Sequence, residues 1–294
     1  MRQSNLARSD LRVSSIGLGC VTFGREIDRQ ASFQILDHAL ARGINLLDTA
    51  AAYADGASEM VLGEWMAERG VRDQVVLASK VTGTLSRERV IASAEESLLR
   101  LKCDCIDLFQ LHCWDELTPV EETLGALEEL REQGKVRYVG CSNWSAQQLE
   151  QGLPQMVSVQ PPYNLVQREI EVDLLPLCQA GQVAVLSYSP LGAGFLTGKY
   201  RRGGEVPPGT RFDVIPGHQP IYFTDEGFSV EEKLREAAEN SGHSMIELAL
   251  AWVISRKGIS SVLIGARNTG HVDQAFAAEQ LLADASVMRL LESF

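Results

Sequence analysis

Residues 105–142 read CIDLFQLHCWDELTPVEETLGALEELREQGKVRYVGCS and contain one strand, one crossover helix and a second strand. CIDLFQLH is a short β-rich run. VEETLGALEELREQG then sets Val120, Leu124, Leu127 and Leu130 at three- and four-residue spacing, the mark of an amphipathic helix, and ends on Gly134. VRYVGCS resumes strand character. Two strands separated by a helix form a parallel pair, because a hairpin needs only a few residues between its strands.

The same unit recurs along the chain. Strand-like runs stand at 15–19 (SIGLG), 44–48 (INLLD), 74–79 (QVVLAS), 105–112, 136–142, 156–160 (MVSVQ), 182–189 (QVAVLSYS) and 261–265 (SVLIG). Helical patterns such as ASFQILDHALARG and ERVIASAEESLLRL separate them. Eight strand–helix units over about 250 residues predict an α/β fold, a (β/α)8 TIM barrel occupying residues 1–294 as one domain. A doubly wound sheet is the open alternative. Residues 201–228 break the rhythm with five Gly and four Pro, and predict a long loop after strand seven.

Composition narrows the function. With 27 Lys plus Arg against 39 Asp plus Glu, the formal net charge is -12, which offers no basic field for nucleic acid. The N-terminal residues hold no apolar core of signal-peptide length, and no stretch approaches a membrane span, so a cytoplasmic chain with no membrane partner is expected. Six cysteines form no CxxC pair and are expected as reduced thiols. The five histidines are scattered without an HxH pair, so no metal is implied.

Polar residues at strand ends carry the chemistry. Asp48 closes INLL, Lys80 follows VVLAS and His112 ends IDLFQL, while Tyr53 lies in the loop after Asp48. Singly, each is an ordinary solvated or hydrogen-bonded residue. Jointly, they occupy corresponding ends of consecutive strands, the barrel face on which active sites are built. A phenol needs help to exchange a proton near neutral pH; Lys80 would stabilise its charged form, Asp48 would hold Lys80 protonated, and a neutral His112 would hold a carbonyl oxygen.

In the same order, GINLLDTAAAY, VVLASK, CIDLFQLHCWD, GKVRYVGCSNW, SVQPPYN and SYSPLGAGFLTGKY resemble the motifs of aldo-keto reductases over nearly the whole chain, in the style of the bacterial and potassium-channel β-subunit-like branch. The resemblance implies an NADP(H)-dependent oxidoreductase acting on a small carbonyl or alcohol substrate, with Asp48, Tyr53, Lys80 and His112 as its catalytic tetrad. It places Ser142, Asn143 and Gln160 on the nicotinamide carboxamide, Tyr188 against the nicotinamide ring, and the backbone of Ser189, Leu191, Gly194 and Leu196 along the pyrophosphate. GLGCVTFG lacks GxGxxG spacing and resembles instead the family's first-strand motif, which implies Val21 and Thr22 as cofactor contacts.

In SVLIGARNTGHVDQAF, Gly265 ends the strand and Arg267 matches the family residue that pairs with the 2′-phosphate, favouring NADP(H) while leaving NAD(H) open. Related sequences commonly carry Gln and Asn where this chain has His271 and Ala275, so adenine contacts are expected to differ, with Gln274 as a substitute. Phe23 and Trp114 are the expected substrate contacts, with Phe212 and Tyr222 of the long loop as further aromatics. Two other readings stay open: an NADP(H)-binding regulatory or sensor subunit with little turnover, and a Schiff-base aldolase on Lys80, against which Asp48 argues.

Overall fold

The computed structural model describes residues 1–294. Ten strands form: β1 (Gln3–Asn5), β2 (Arg12–Ser14), β3 (Ile16–Gly19), β4 (Leu46–Asp48), β5 (Val76–Val81), β6 (Ile106–Leu111), β7 (Val136–Ser142), β8 (Met156–Gln160), β9 (Ala184–Ser187) and β10 (Ile259–Gly265). The last eight close into a parallel barrel in sequence order, with β10 beside β3. The expected (β/α)8 barrel is therefore present, and every expected strand overlaps an observed one.

Its helices follow the sequence signals. Asp28 caps the helix Arg29–Ala41 by accepting from the Ala31 N–H, and Ser145 and Ser244 each close a reciprocal capping box. Gly43 and Gly134, the glycines just past two helices, have φ of +86° and +71°, the left-handed region that ends a helix. Helix Met245–Ser255 is apolar nearly all round and correspondingly buried between neighbours.

Two features depart from expectation. The first is the antiparallel hairpin β1–β2, which precedes the barrel. Leu6, Leu11 and Val13 from this segment pack in one cluster with Leu46, Val76, Ala78, Leu108, Leu186 and Leu263 of the strands, so the hairpin plugs the N-terminal mouth. The second is segment 201–228, which is partly helical, over Arg211–Val214 and Gln219–Tyr222. Phe212 and Tyr222 are buried there among Phe195, Tyr200, Phe223 and Phe228. Tertiary aromatic packing thus overrides a Gly- and Pro-rich local sequence.

Candidate active site

The hydrophobic filling of the barrel gives way, toward the C-terminal strand ends, to buried polar side chains. Asp48 ends β4, and Lys80 lies within β5, one residue deeper than the expected strand boundary, with a side chain that reaches no solvent. Lys80 Nζ donates to Asp48 Oδ2 at 2.5 Å, to the Thr49 carbonyl at 3.1 Å and to the Tyr53 hydroxyl at 3.3 Å. All three ammonium hydrogens are therefore used. Tyr53 opens the kinked turn Tyr53–Gly56, in which Ala54 and Asp55 take left-handed φ values. His112 is the first residue past β6, and its ring stands edge-on to Tyr53 with centroids 5.8 Å apart.

Burial and charge then set the protonation states. Burial alone would lower the Lys80 amine, but Asp48 and Tyr53 outweigh it, so the amine is held above its ordinary value and stays cationic. Burial pushes the Tyr53 phenol up; Lys80 pulls it partly back. His112 is lowered to about 4, first by burial and then by Lys80, which leaves a neutral imidazole. Its Nδ1 lies 3.2 Å from Thr82 Oγ1. A donating Thr82 hydroxyl leaves the proton on Nε2, free to donate toward the pocket.

Ser142, Asn143, Gln160 and Tyr188 also converge. Ser142 Oγ donates to the Gln160 carbonyl at 2.8 Å, Asn143 Nδ2 donates to the His112 carbonyl at 3.0 Å, and the Tyr188 hydroxyl donates to Asn143 Oδ1 at 2.8 Å. Gln160 Nε2 donates to Asp48 Oδ1 at 2.8 Å, which ties this group to the Asp48–Lys80 pair. Asn143 and Ser189 both hold positive φ, strained positions for non-glycine residues of the kind that gather at functional sites. Thr22 Oγ1 donates to the Ala266 carbonyl, and Val21, beside it, stays half-exposed.

The turn 189–198 is tight. Gly192 N–H donates to the Ser189 carbonyl, and the N–H groups of Gly194 and Leu196 both reach the Leu191 carbonyl. Gly194 has φ +93°, and a Cβ there would stand 3.1 Å from Lys199 Nζ. Lys199, Arg211 and Arg267 have no carboxylate within ion-pair distance. Burial and the charge of Arg267 lower Lys199; burial, then Arg25 and Arg267, lower Arg211. Within a chain of net charge -12, these are cations held near one another, with Glu26 the acidic group that acts on Arg211 and Arg267 and no ion pair to any of the three. Lys199 and Arg211 escaped the sequence reading, although Lys199 stood in the quoted TGKY.

Other expected contacts fall as follows. Gly265 and Gln274 are exposed, whereas Ala275 is wholly buried and presents nothing to a ligand. His271 Nδ1 accepts from the Arg267 N–H at 3.3 Å, and the His271 N–H donates to the helix-capping Asn268 Oδ1. Trp114 is half-buried and stacks edge-on against Trp144 at 4.7 Å. Phe23, expected at the substrate, is wholly buried in the main core, as are Phe212 and Tyr222 nearly so; all three are held as core side chains. A cavity of about 510 Å³ lies at the opposite barrel end between Arg72, Asp107 and Arg137 and contains none of the tetrad. No grouping of His, Cys, Asp and Glu suited to a metal is present, and no helix is long and apolar enough to cross a membrane.

Known proteins share this plan. The profile of the Aldo/keto reductase family matches residues 15–294. Aldo-keto reductase YhdN of Bacillus subtilis is 34% identical, covering 93% of this chain and 87% of its own. A probable voltage-gated potassium channel subunit beta from Arabidopsis thaliana is 31% identical over 96% of this chain and 92% of its own. The holo form of aldo-keto reductase AKR11C1 from Bacillus halodurans superposes with a TM-score of 0.81 at 28% identity, covering 99% and 96% of the two chains. With its closed barrel, the polar cluster at its C-terminal face and a family match over almost its full length, this chain belongs to the aldo/keto reductase family of oxidoreductases.

Proposed function

We propose that the chain is an NADP(H)-dependent reductase of small aldehydes, ketones or sugar-like carbonyl compounds, with Tyr53 as proton donor and, in the reverse direction, acceptor. The observation that carries the reading is the buried Lys80 ammonium touching both the Asp48 carboxylate and the Tyr53 hydroxyl. A dinucleotide bound here supplies hydride to the carbonyl carbon. Tyr53 protonates the oxygen that becomes negative as hydride arrives, and Lys80 stabilises the phenolate left behind. The neutral His112 donates from Nε2 to that same oxygen and orients the substrate.

The cofactor's fit rests on this chain's own residues. Asn143 and Gln160 lie in the hydrogen-bonded group joined to the Asp48–Lys80 pair, where their carboxamides would hold another carboxamide, and Tyr188 offers a ring anchored through its hydroxyl. Lys199, Arg211 and Arg267 form the cationic cluster that phosphate groups would neutralise, which favours the phosphorylated dinucleotide. Trp114, half-buried and two residues past His112, is the aromatic we assign to the substrate.

A Schiff-base role for Lys80 needs a neutral amine, and Asp48 and Tyr53 both oppose it. The regulatory reading draws on the likeness to a potassium channel subunit beta. Turnover separates these possibilities. NADPH oxidation measured with a panel of aldehydes, ketones and sugars should depend on both substrates. Tight NADPH binding with no substrate-dependent oxidation would replace the enzyme by the regulatory subunit, and borohydride trapping of substrate on Lys80 would establish the aldolase.

A further inference from the structure

Gln110 sits wholly buried in β6, in register with Lys80 of β5 on one side and Gly140 of β7 on the other. Its neighbours Leu108, Phe109 and Leu111 are apolar core, where an unbonded carboxamide would be unfavourable. Both of its polar atoms are bonded. Nε2 donates to Asp48 Oδ1 at 3.1 Å, and Oε1 accepts from Gln160 Nε2 at 3.3 Å. Gln160 Nε2 also reaches Asp48 Oδ1. The two oxygens of Asp48 therefore have separate duties: Oδ2 faces Lys80, and Oδ1 receives two carboxamides. The absence of a side chain at Gly140 keeps this interior open, since a Cβ there would lie 2.3 Å from Ser158 Oγ.

Resting on the reading of Tyr53 as proton donor, we infer that Gln110 is a positioning residue for hydride transfer. Together with Gln160, which it also orients, it locks the far oxygen of Asp48, so that the near oxygen holds the Lys80 ammonium against the Tyr53 hydroxyl. A carboxylate bonded through one oxygen alone can rotate about Cβ–Cγ; donors on the second oxygen stop that rotation and also stabilise the ionised form. Without Gln110, Oδ1 keeps only the Gln160 donor, which itself loses its Gln110 acceptor, so Asp48 either exerts its charge on Tyr53 less screened or takes the proton of Lys80. Both responses make the phenol harder to ionise. The other groups facing Tyr53 are His112, Cys20, Arg25 and Tyr188, none of which Gln110 contacts.

The test compares the full-length protein with Gln110→Met, which keeps length and volume, and Gln110→Glu. kcat, KM and the Kd for NADPH are followed from pH 6 to 10.5, for aldehyde reduction and for alcohol oxidation. Gln110→Met should lower kcat about tenfold or more and move the alkaline limb of alcohol oxidation upward by about one pH unit, while the Kd for NADPH changes less than about threefold. Gln110→Glu should approach wild type while its carboxyl is protonated, because that group donates to Asp48 and accepts from Gln160 as the amide does. It should lose activity steeply once a second carboxylate forms beside Asp48. Wild-type kcat and an unmoved limb in Gln110→Met would overturn the inference, as would losses confined to NADPH binding. Should Gln110→Met fail to fold, a Gln110→Glu variant with no new pH dependence overturns it equally. Absence of turnover in the unaltered protein would instead remove the reading of the site, and this inference with it.

Discussion

Replacing Lys80 by Met removes the one cation that touches Tyr53. Its Nζ lies 3.3 Å from the phenolic oxygen, so at an effective dielectric of about 20 it favours a phenolate by roughly 5 kcal/mol. Asp48 opposes this from behind Nζ, and the solvent-facing side of the phenol weakens it further, so the net effect of losing Lys80 is a phenol that is harder to ionise. The direction holds whether Asp48 stays charged or takes a proton, because Lys80 is the nearer charge. Orphaning a buried carboxylate costs about 3–5 kcal/mol of stability, so Lys80→Met should be paired with Asp48→Asn, which leaves no unpaired charge. In both proteins kcat should fall about 100-fold or more, with the Kd for NADPH within about threefold, and the alkaline limb of alcohol oxidation should rise. Stopped-flow NADPH absorbance, with circular dichroism to confirm folding, reads both effects. A folded Lys80→Met protein with unchanged kcat, or a limb that does not move, would refute the electrostatic role given to Lys80.

Four further outcomes are expected. Arg267→Ala should weaken NADPH about 10- to 100-fold by fluorescence titration, through loss of charge-assisted hydrogen bonds, while NADH stays within about twofold; equal losses for both would place Arg267 away from the 2′-phosphate. Thr82→Val should cost about fivefold in kcat by releasing the His112 tautomer, with KM for the carbonyl rising and NADPH binding unaltered. Reduction needs the protonated phenol, and Tyr53 is raised above 10.0, so the reductive kcat should be flat between pH 6 and 9 and fall only at higher pH; His112, at about 4, titrates below this range. Gly63→Ala would bring a Cβ within 2.4 Å of the Arg100 carbonyl and should lower Tm by several degrees, about 1–3 kcal/mol, leaving activity per folded molecule intact.

The barrel was legible because its strands, covered on both faces, read as continuous apolar runs, and the helices between them carry a clean three-to-four spacing. The polar residues that close those runs stood out against that background, which is why Asp48, Lys80 and His112 could be named as a set. Gln110 gave the same signal, a polar residue inside IDLFQL, but a single carboxamide in a strand says nothing about its partners until the neighbouring strands are in register. Lys199 and Arg211 are separated by a dozen residues in polar surroundings, so their closeness to Arg267 is a tertiary property. The hairpin β1–β2 has strands of three residues, too short for alternation to show. Phe23 illustrates the opposite limit: nothing in the sequence around it showed that its side chain would be wholly buried.

The account stands most directly on the proton that Tyr53 delivers. Substrate-dependent NADPH oxidation by the Tyr53→Phe variant, at saturating aldehyde and neutral pH, isolates that proton, because the substitution removes one oxygen and leaves the ring against His112. The expected result is a kcat at least about 100-fold below wild type with NADPH still bound within about threefold of its normal affinity. A Tyr53→Phe protein that reduces aldehydes at the wild-type rate would contradict it.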